Sequence, residues 1–249
     1  MNVHTPLPAF GLGLYPLAEA ARLAQIDTRT ARRWSEGYDF LYQGRKRHSP
    51  GVMELKLQAS GDHPDLTFQE MLTLRLVRGF RGVGLSLRTI KKVAQVAAAD
   101  LQTLTPLVTR RFRTDGRKVL MEVAEMAPAN DEPGLPPRER KLIDVLTRQQ
   151  EFADVVEPSL FRNVDWHDDL AVRWWPLGTD RAVVVDPTVL FGAPRIAETR
   201  VPSSAIMASV RAEGGGEPAI RAVAHWYGIS SGQVLDAVEF ETSWLRQAA

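Results

Sequence analysis

Leu87, Ile90, Ala94, Ala97 and Leu101 recur at steps of three and four, the spacing of one apolar face of a helix. Ser86 precedes them as an N-cap. The same reading, applied along the chain, predicts a mainly α-helical protein with small β wings. Pro16 to Ala24 reads as a short helix, Gln25-Ile26-Asp27 as a turn, and Thr28 to Ser35 as a second helix capped by Asp27 or Thr28 and stopped at Gly37. Residues 38–57 read as two strands around a polar loop containing Gly44, Pro50 and Gly51. Thr67 and Glu70 form a capping box that opens a helix through about Arg78, broken by Gly82 and Gly84. Residues 110–124 read as short strands around the turn signal Thr114-Asp115-Gly116-Arg117.

Further on, a helix starts near Arg138, with Leu142, Val145, Leu146 and Gln149 on one face. Residues 160–185 carry Trp166, Trp174, Trp175 and the strand-like run Ala182 to Val185. Pro202 opens a helix to about Arg211, residues 213–217 form a glycine-rich loop, and Pro218 starts a helix to Trp226. Tyr227-Gly228-Ile229 is a turn, and Ser230 with Gln233 is a second capping box. The stretch 127–138, with four prolines and a glycine, reads as a linker. It divides the chain into a domain over 1–126, the linker 127–138 and a second domain over 139–249.

Composition changes this picture in one respect. The apolar share of 44% and charged share of 24% are those of an ordinary globular chain. No apolar run approaches the roughly 20 residues of a membrane span, and the start has no charged region or apolar core of a secretory signal. There are no cysteines, which excludes disulfides, thiolate zinc sites and a cysteine nucleophile. A cytoplasmic protein without membrane partners is expected. The net charge of +1 conceals an asymmetry: residues 1–125 hold 19 Lys and Arg against 12 Asp and Glu, while residues 126–249 hold 12 against 18. A basic half suits a phosphate backbone, and an acidic half suits a basic partner.

Residues 17–37, LAEAARLAQIDTRTARRWSEG, carry the sharpest local signal. Ala20 or Ala21 supplies the small residue that a helix-turn-helix needs where its helices cross, and Ile26 the apolar anchor of the turn. Thr28, Arg29, Arg32 and Arg33 then form the polar outer face of the second helix, while Ala31 and Trp34 turn inward. Arginine suits that position because its fork bonds guanine O6 and N7, or phosphate. An ordinary helical hairpin with a solvated charged face has the same local pattern. The following hairpin, whose loop is expected to carry Arg45, Lys46, Arg47 and His48, adds a basic arm beside that helix.

Over about residues 14–100 this order of helix pair, basic hairpin and two helices resembles the MerR type of winged helix. The resemblance implies DNA binding by the helix over 28–35 and by Arg45, Lys46 and Arg47 of the wing. The chain departs from MerR regulators in having no long heptad helix after Leu101 and no metal-sensing cysteines. Residues 183–241 resemble a small bacterial domain of unknown function associated with VapB-type antitoxins. The matching residues are Asp186-Pro187, Phe191 to Pro194, Glu198 to Pro202 and a final helix-turn-helix with Ala224, Gly228 and Val234. This resemblance implies an antitoxin that pairs with a PIN-like ribonuclease toxin.

The last helix carries Asp236, Glu239 and Glu241, and no Lys or Arg before Arg246, so phosphates would be repelled from it. Partner binding or dimerisation is the better reading there, with Trp226, Tyr227, Asp236, Glu239, Phe240 and Trp244 as candidate contacts, although the aromatic residues suit a core equally. No catalytic constellation stands out. Gly11-Leu12-Gly13 and Gly214 to Gly216 lack a phosphate-loop context. Trp166-His167-Asp168-Asp169 has no ligand spacing to His4, His48, His63 or His225.

The expected protein is non-enzymatic, needs no cofactor or metal, and acts as an antitoxin. It binds double-stranded operator DNA for autorepression, binds a ribonuclease toxin, and dimerises because one short helix reads few bases. Two alternatives stay open: a MerR-like transcriptional regulator whose second domain binds a small molecule near Trp166 to Trp175, and a protein-interaction adaptor with a degenerate DNA module.

Overall fold

The structure, a computed structural model, describes residues 11–57, 64–126, 135–147 and 163–247. It is mainly helical, with nine α-helices and three two-stranded antiparallel sheets among those residues. In chain order these are α1 (Leu17–Ala24), α2 (Thr28–Ser35), β1 (Tyr38–Tyr42), β2 (Arg45–Ser49), α3 (Phe68–Gly82), α4 (Leu87–Leu101), α5 (Arg110–Glu125) and α6 (Pro137–Leu146). Then follow β3 (Val164–His167), β4 (Leu170–Trp174), β5 (Val183–Val184), β6 (Arg195–Ile196), α7 (Ser203–Ala212), α8 (Gly216–Tyr227) and α9 (Ser231–Gln247).

Side-chain caps fix four helix starts where expected, at Asp27, Thr67, Ser86 and Ser230. The Asp27 carboxylate accepts from Thr30 N at 2.8 Å, and Ser86 Oγ accepts from Thr89 N at 3.1 Å. Thr67 and Glu70 form the reciprocal capping box, with Thr67 N donating to Glu70 Oε2 at 2.6 Å. Ser230 and Gln233 form another ahead of α9. Each satisfies backbone donors that a helix start leaves open.

Two local expectations are overturned. Residues 110–125 form one helix, not a hairpin. Phe112, Gly116, Val119, Leu120 and Val123 are buried on its inner face, and Thr109 caps it by accepting from Phe112 N at 3.0 Å. Asp115-Gly116 signals a turn locally, but the sixteen-residue helical period overrides it. The basic triplet is also displaced from the predicted loop. Arg45, Lys46 and Arg47 lie on β2, and the connection is the two-residue turn Gln43-Gly44, with φ of 51° and 74°. That left-handed pair matches the twist of a tight hairpin. Pro50 and Gly51 follow β2 instead of lying between the strands.

α6 begins at Pro137, within the stretch read as linker; residues 127–134 lie outside the described residues. On α6, Ile143 and Leu146 are buried, while Gln149 and the Val145 side chain lie outside the described residues. Trp166 and Trp174 sit on the β3–β4 hairpin, which turns at Asp168.

Residues from before and after the linker share one hydrophobic core, running from Tyr15 and Leu17 through Phe68, Phe80 and Phe112 to Val183, Ile206 and Phe240. Polar links cross the same boundary. The buried Tyr15 hydroxyl donates to Gly192 O at 2.9 Å, and Leu14 N donates to Phe191 O at 2.8 Å. Burial pushes the Tyr15 phenol pKa up, with the charges of Glu19 and Asp186 adding to the shift. Gly192 sits at φ 90°, and a Cβ there would stand 2.0 Å from the Tyr15 hydroxyl oxygen, so the contact requires glycine. Asp169, in the β3–β4 turn, accepts from Arg111 N and from Arg111 Nε, both at 2.7 Å, and so caps the start of α5. The Arg75 guanidinium donates to Leu23 O at 3.0 Å and stacks over Trp174 at 4.1 Å.

Candidate nucleic-acid interface

The α1–α2 pair has the tight connection that its sequence predicts. Ala20 and Ala21 are fully buried, Ile26 is 9% exposed, and Ile26 N donates to Ala21 O at 3.0 Å. Gln25, at φ 57°, reverses the chain after α1. On α2, Ala31 and Ser35 face the core and Trp34 packs against it, while Thr28, Arg29, Arg32 and Arg33 face outward. Arg32 lies 3.9 Å from Glu36 as a loose i,i+4 pair, with its side chain 46% exposed.

The hairpin is anchored to α2 at its base. Val52 N donates to Trp34 O at 2.7 Å as the chain leaves β2. Gly51 passes so close to the end of α2 that a Cβ would lie 2.0 Å from Ser35 O. Above this base both faces of the ribbon are open to solvent. The register pairs Tyr38 with Ser49, Asp39 with His48, Phe40 with Arg47, Leu41 with Lys46 and Tyr42 with Arg45. By strand alternation, Tyr38, Phe40, Tyr42, Arg45 and Arg47 share one face, and Asp39, Leu41, Lys46 and His48 the other.

Aromatic rings and cations interleave across α2, the hairpin and α4. Arg33 lies over the Tyr38 ring at 4.3 Å, the Lys91 ammonium is 5.5 Å from the same ring, and Arg47 lies over Tyr42 at 5.1 Å. Lys91 also donates to Ser49 Oγ at 2.7 Å. Burial, and after it the Arg33 charge, pulls the Lys91 pKa below the ordinary value. Asp39 is held below its ordinary range, first by its bond to Lys46 at 2.9 Å and then by His48 at 2.8 Å. The seven predicted DNA-contact residues thus fall on two adjoining elements and are all exposed. Lys91 joins them from α4. Only the fold reveals it, because it lies far along the chain in a helix read for its apolar face.

The six predicted partner-contact residues are less uniform. Trp226 is 58% exposed at the end of α8. Tyr227 is half-buried, with its hydroxyl 3.1 Å from Ser209 Oγ. Phe240 is fully buried in the core, and the Trp244 side chain lies outside the described residues. Asp236 accepts from Arg181 Nε and from Ala182 N, both at 2.7 Å, and Glu239 accepts from the same guanidinium. Arg181 therefore neutralises much of the acidic face of α9, which sequence reasoning missed. It also pins the loop before β5 to that helix. Leu235 and Val238 line a shallow depression of about 840 Å³ beside these three residues. Glu241 points the other way, to Arg22 at 3.1 Å and Ser203 Oγ at 2.5 Å, and joins α9 to α1.

The core of the second half is pinned at Asp186. This carboxylate is 3% exposed and accepts from Thr188 N, Thr188 Oγ1, Arg173 Nε and Arg195 NH2 at 2.9, 2.6, 3.1 and 3.3 Å. Among the described residues no group of three or more His, Asp or Glu is arranged to hold a metal ion, and no helix is long and apolar enough to cross a membrane.

Comparison with known proteins shows what this chain is similar to. A family model described as a protein of unknown function, DUF433, matches residues 183–240. A Mycobacterium tuberculosis protein named "Putative antitoxin VapB45" is 26% identical over 237 residues, which cover 92% of this chain and 94% of that protein. The crystal structure of Rv2018 from Mycobacterium tuberculosis superposes with a TM-score of 0.66 at 23% identity, over 92% of this chain and 99% of that one. At that identity the last relation shows a shared fold.

Proposed function

We propose that this chain is the antitoxin of a toxin–antitoxin pair. It binds duplex operator DNA through α2 and the β1–β2 hairpin, and so represses its own transcription. It neutralises a PIN-like ribonuclease toxin through the surface formed by the end of α8 and the outer face of α9. The carrying observation for DNA is the cluster of cations on neighbouring elements: Arg29, Arg32 and Arg33 outward on α2, Arg45, Lys46 and Arg47 exposed on β2, and Lys91 of α4 beside Arg33 at the Tyr38 ring. A helix with its polar side outward, beside a ribbon of the same charge, matches the shape and charge of a duplex groove and its phosphates. The relative named as an antitoxin, aligned along nearly the whole chain, supports the toxin partnership. An eight-residue helix reads few base pairs, so the chain acts as a homodimer on paired half-sites.

The test has two arms on the full chain. In the first, Arg29→Ala, Arg32→Ala and Arg33→Ala are introduced singly and together. Each base-reading arginine lost costs about 1–3 kcal/mol of duplex binding and relaxes specificity at one position. A triple variant, folded by circular dichroism, that shifts the promoter fragment as well as wild type overturns the role given to α2. In the second arm the chain is co-expressed with the product of the adjacent gene, and RNA cleavage is measured. If the two do not co-purify and cleavage is unaffected, the antitoxin reading gives way to a transcriptional regulator without a toxin.

A further inference from the structure

Cations alone suffice to bind phosphates, yet the far end of the β1–β2 ribbon is as apolar as it is basic. Leu41 is 77% exposed, Tyr42 50% and Phe40 39%. Leu41 and Tyr42 occupy the last two paired positions before the Gln43-Gly44 turn, opposite Lys46 and Arg45. Because strand side chains alternate, one of the two projects from each face, and each has a cation beside it. The turn is two residues long and both have positive φ, so the tip is a short, well-defined end and not a wandering loop.

The base of the ribbon is accounted for by the fold: Arg33 and Lys91 lie against Tyr38, and Lys91 bonds Ser49. The tip is not. Hydrocarbon set against phosphate gains little, whereas the floor of a minor groove, with its sugars and stacked bases, offers apolar surface between two phosphate rows. Leu and aromatic side chains act there as wedges between base steps. A ribbon of five residues per strand extends about 16 Å, more than the roughly 12 Å width of a major groove. It can therefore reach past a phosphate row when α2 lies in the neighbouring groove.

We propose that the tip of the β1–β2 hairpin is an apolar wedge, in which Leu41 and Tyr42 enter the minor groove of duplex DNA and open a base step while Arg45, Lys46 and Arg47 hold the flanking phosphates. This rests on the DNA-binding reading above and adds to it a site and a mode of contact. The wedge contributes affinity that is independent of salt and bends the duplex away from the inserted side chains.

The experiment uses the full chain and duplexes from the DNA immediately upstream of its own coding sequence, with 2-aminopurine placed at successive positions. The expected result is a rise in fluorescence at one base step with wild type. In Leu41→Ala/Tyr42→Ala that rise disappears. Affinity then falls about 10- to 100-fold, on the scale of burying part of one aliphatic and part of one aromatic side chain, and the slope of log K against log salt is unchanged. Arg45→Ala/Lys46→Ala/Arg47→Ala should instead flatten that slope by roughly 0.9 per lost phosphate contact. All five positions are exposed, and circular dichroism verifies that the variants fold. Wild type that binds the duplex without brightening any step, with an apolar double variant of equal affinity, overturns the wedge and leaves DNA binding standing. Wild type that binds no duplex overturns both. Tighter, Leu41-dependent binding to phosphatidylcholine–phosphatidylglycerol vesicles than to DNA assigns the tip to a lipid surface and also overturns it.

Discussion

Replacing Asp186 by Asn tests whether this carboxylate holds the second half of the chain together. The change keeps the shape and removes the charge. One amide oxygen can still accept from Thr188, whose amide and hydroxyl now meet at Oδ1. The NH2 group then replaces Oδ2 and faces two guanidiniums. Arg173 is half exposed, so losing its partner costs no more than about 1 kcal/mol. Arg195 is different: its side chain is 9% exposed, and stripping one partner from a buried pair typically costs about 3–5 kcal/mol. Its remaining bonds to Ile196 O and Thr199 O place the expectation at the lower end, about 3 kcal/mol. That is a large share of the roughly 5–15 kcal/mol stability of a folded protein. For a chain of this size it lowers Tm by about 6–12 °C. Thermal and urea unfolding followed by circular dichroism measure it. A loss below about 1 kcal/mol refutes the reasoning, because it would mean that Arg195 is satisfied without the carboxylate. Asp186→Asn combined with Arg195→Met should cost less than the sum of the single changes, since their energies are coupled.

Four further outcomes follow from the same structure. Burial pushes the Asp186 carboxyl pKa up, but the Thr188 hydroxyl, the Thr188 amide and Arg173 outweigh it, so its pKa lies below the usual carboxylate value. Its contribution to stability is therefore complete above the unfolded value of about 3.9 and is lost as pH falls through the lower folded value; urea midpoints in Asp186→Asn should fall less steeply across that acid range than in wild type. Asp169→Ala removes a cap from α5 and should cost about 1 kcal/mol, read as a drop in Tm of a few degrees. Gly192→Ala forces a Cβ against Tyr15 at a positive φ, and unfolding curves should show a loss above about 1 kcal/mol, reduced when Tyr15→Phe is added. On the proposed antitoxin function, Trp226→Ala should leave stability within about 0.5 kcal/mol but weaken binding of the toxin, measured by calorimetry, by about 2 kcal/mol.

Helix starts were the most legible features, because a cap and the backbone N–H that it accepts from lie three residues apart and the information is local. The α1–α2 pair was legible for the same reason, from the small crossing residues Ala20 and Ala21 and the anchor Ile26. The helix α5 was misread when the Asp115-Gly116 dipeptide was given more weight than five buried positions at helical spacing. In the hairpin, both the strands and the basic triplet were visible. Which residues formed the turn depended on the left-handed backbone of Gln43 and Gly44, and Asn or Asp would have signalled it more clearly than Gln. Long-range pairings left no signal. Nothing around Arg181 and Ala182 announces Asp236 and Glu239 on α9, and Lys91 is a polar residue on an amphipathic helix until Tyr38 is seen beside it.

The bond from the Tyr15 hydroxyl to Gly192 O joins residues 177 positions apart. A ribosome adding roughly 5–20 residues per second needs about 9–35 seconds to travel that distance. During that interval the first helices have been made but one wall of their core has not. Leu17, Leu23 and Phe68 share that core with Ile206 and Phe240, so the surface that these later residues cover is open on the nascent chain. The order of synthesis thus sets a period in which the N-terminal end is available to chaperones and proteases before its own C-terminal segment can cover it. A stop codon before residue 192 would leave that surface open for the life of the molecule.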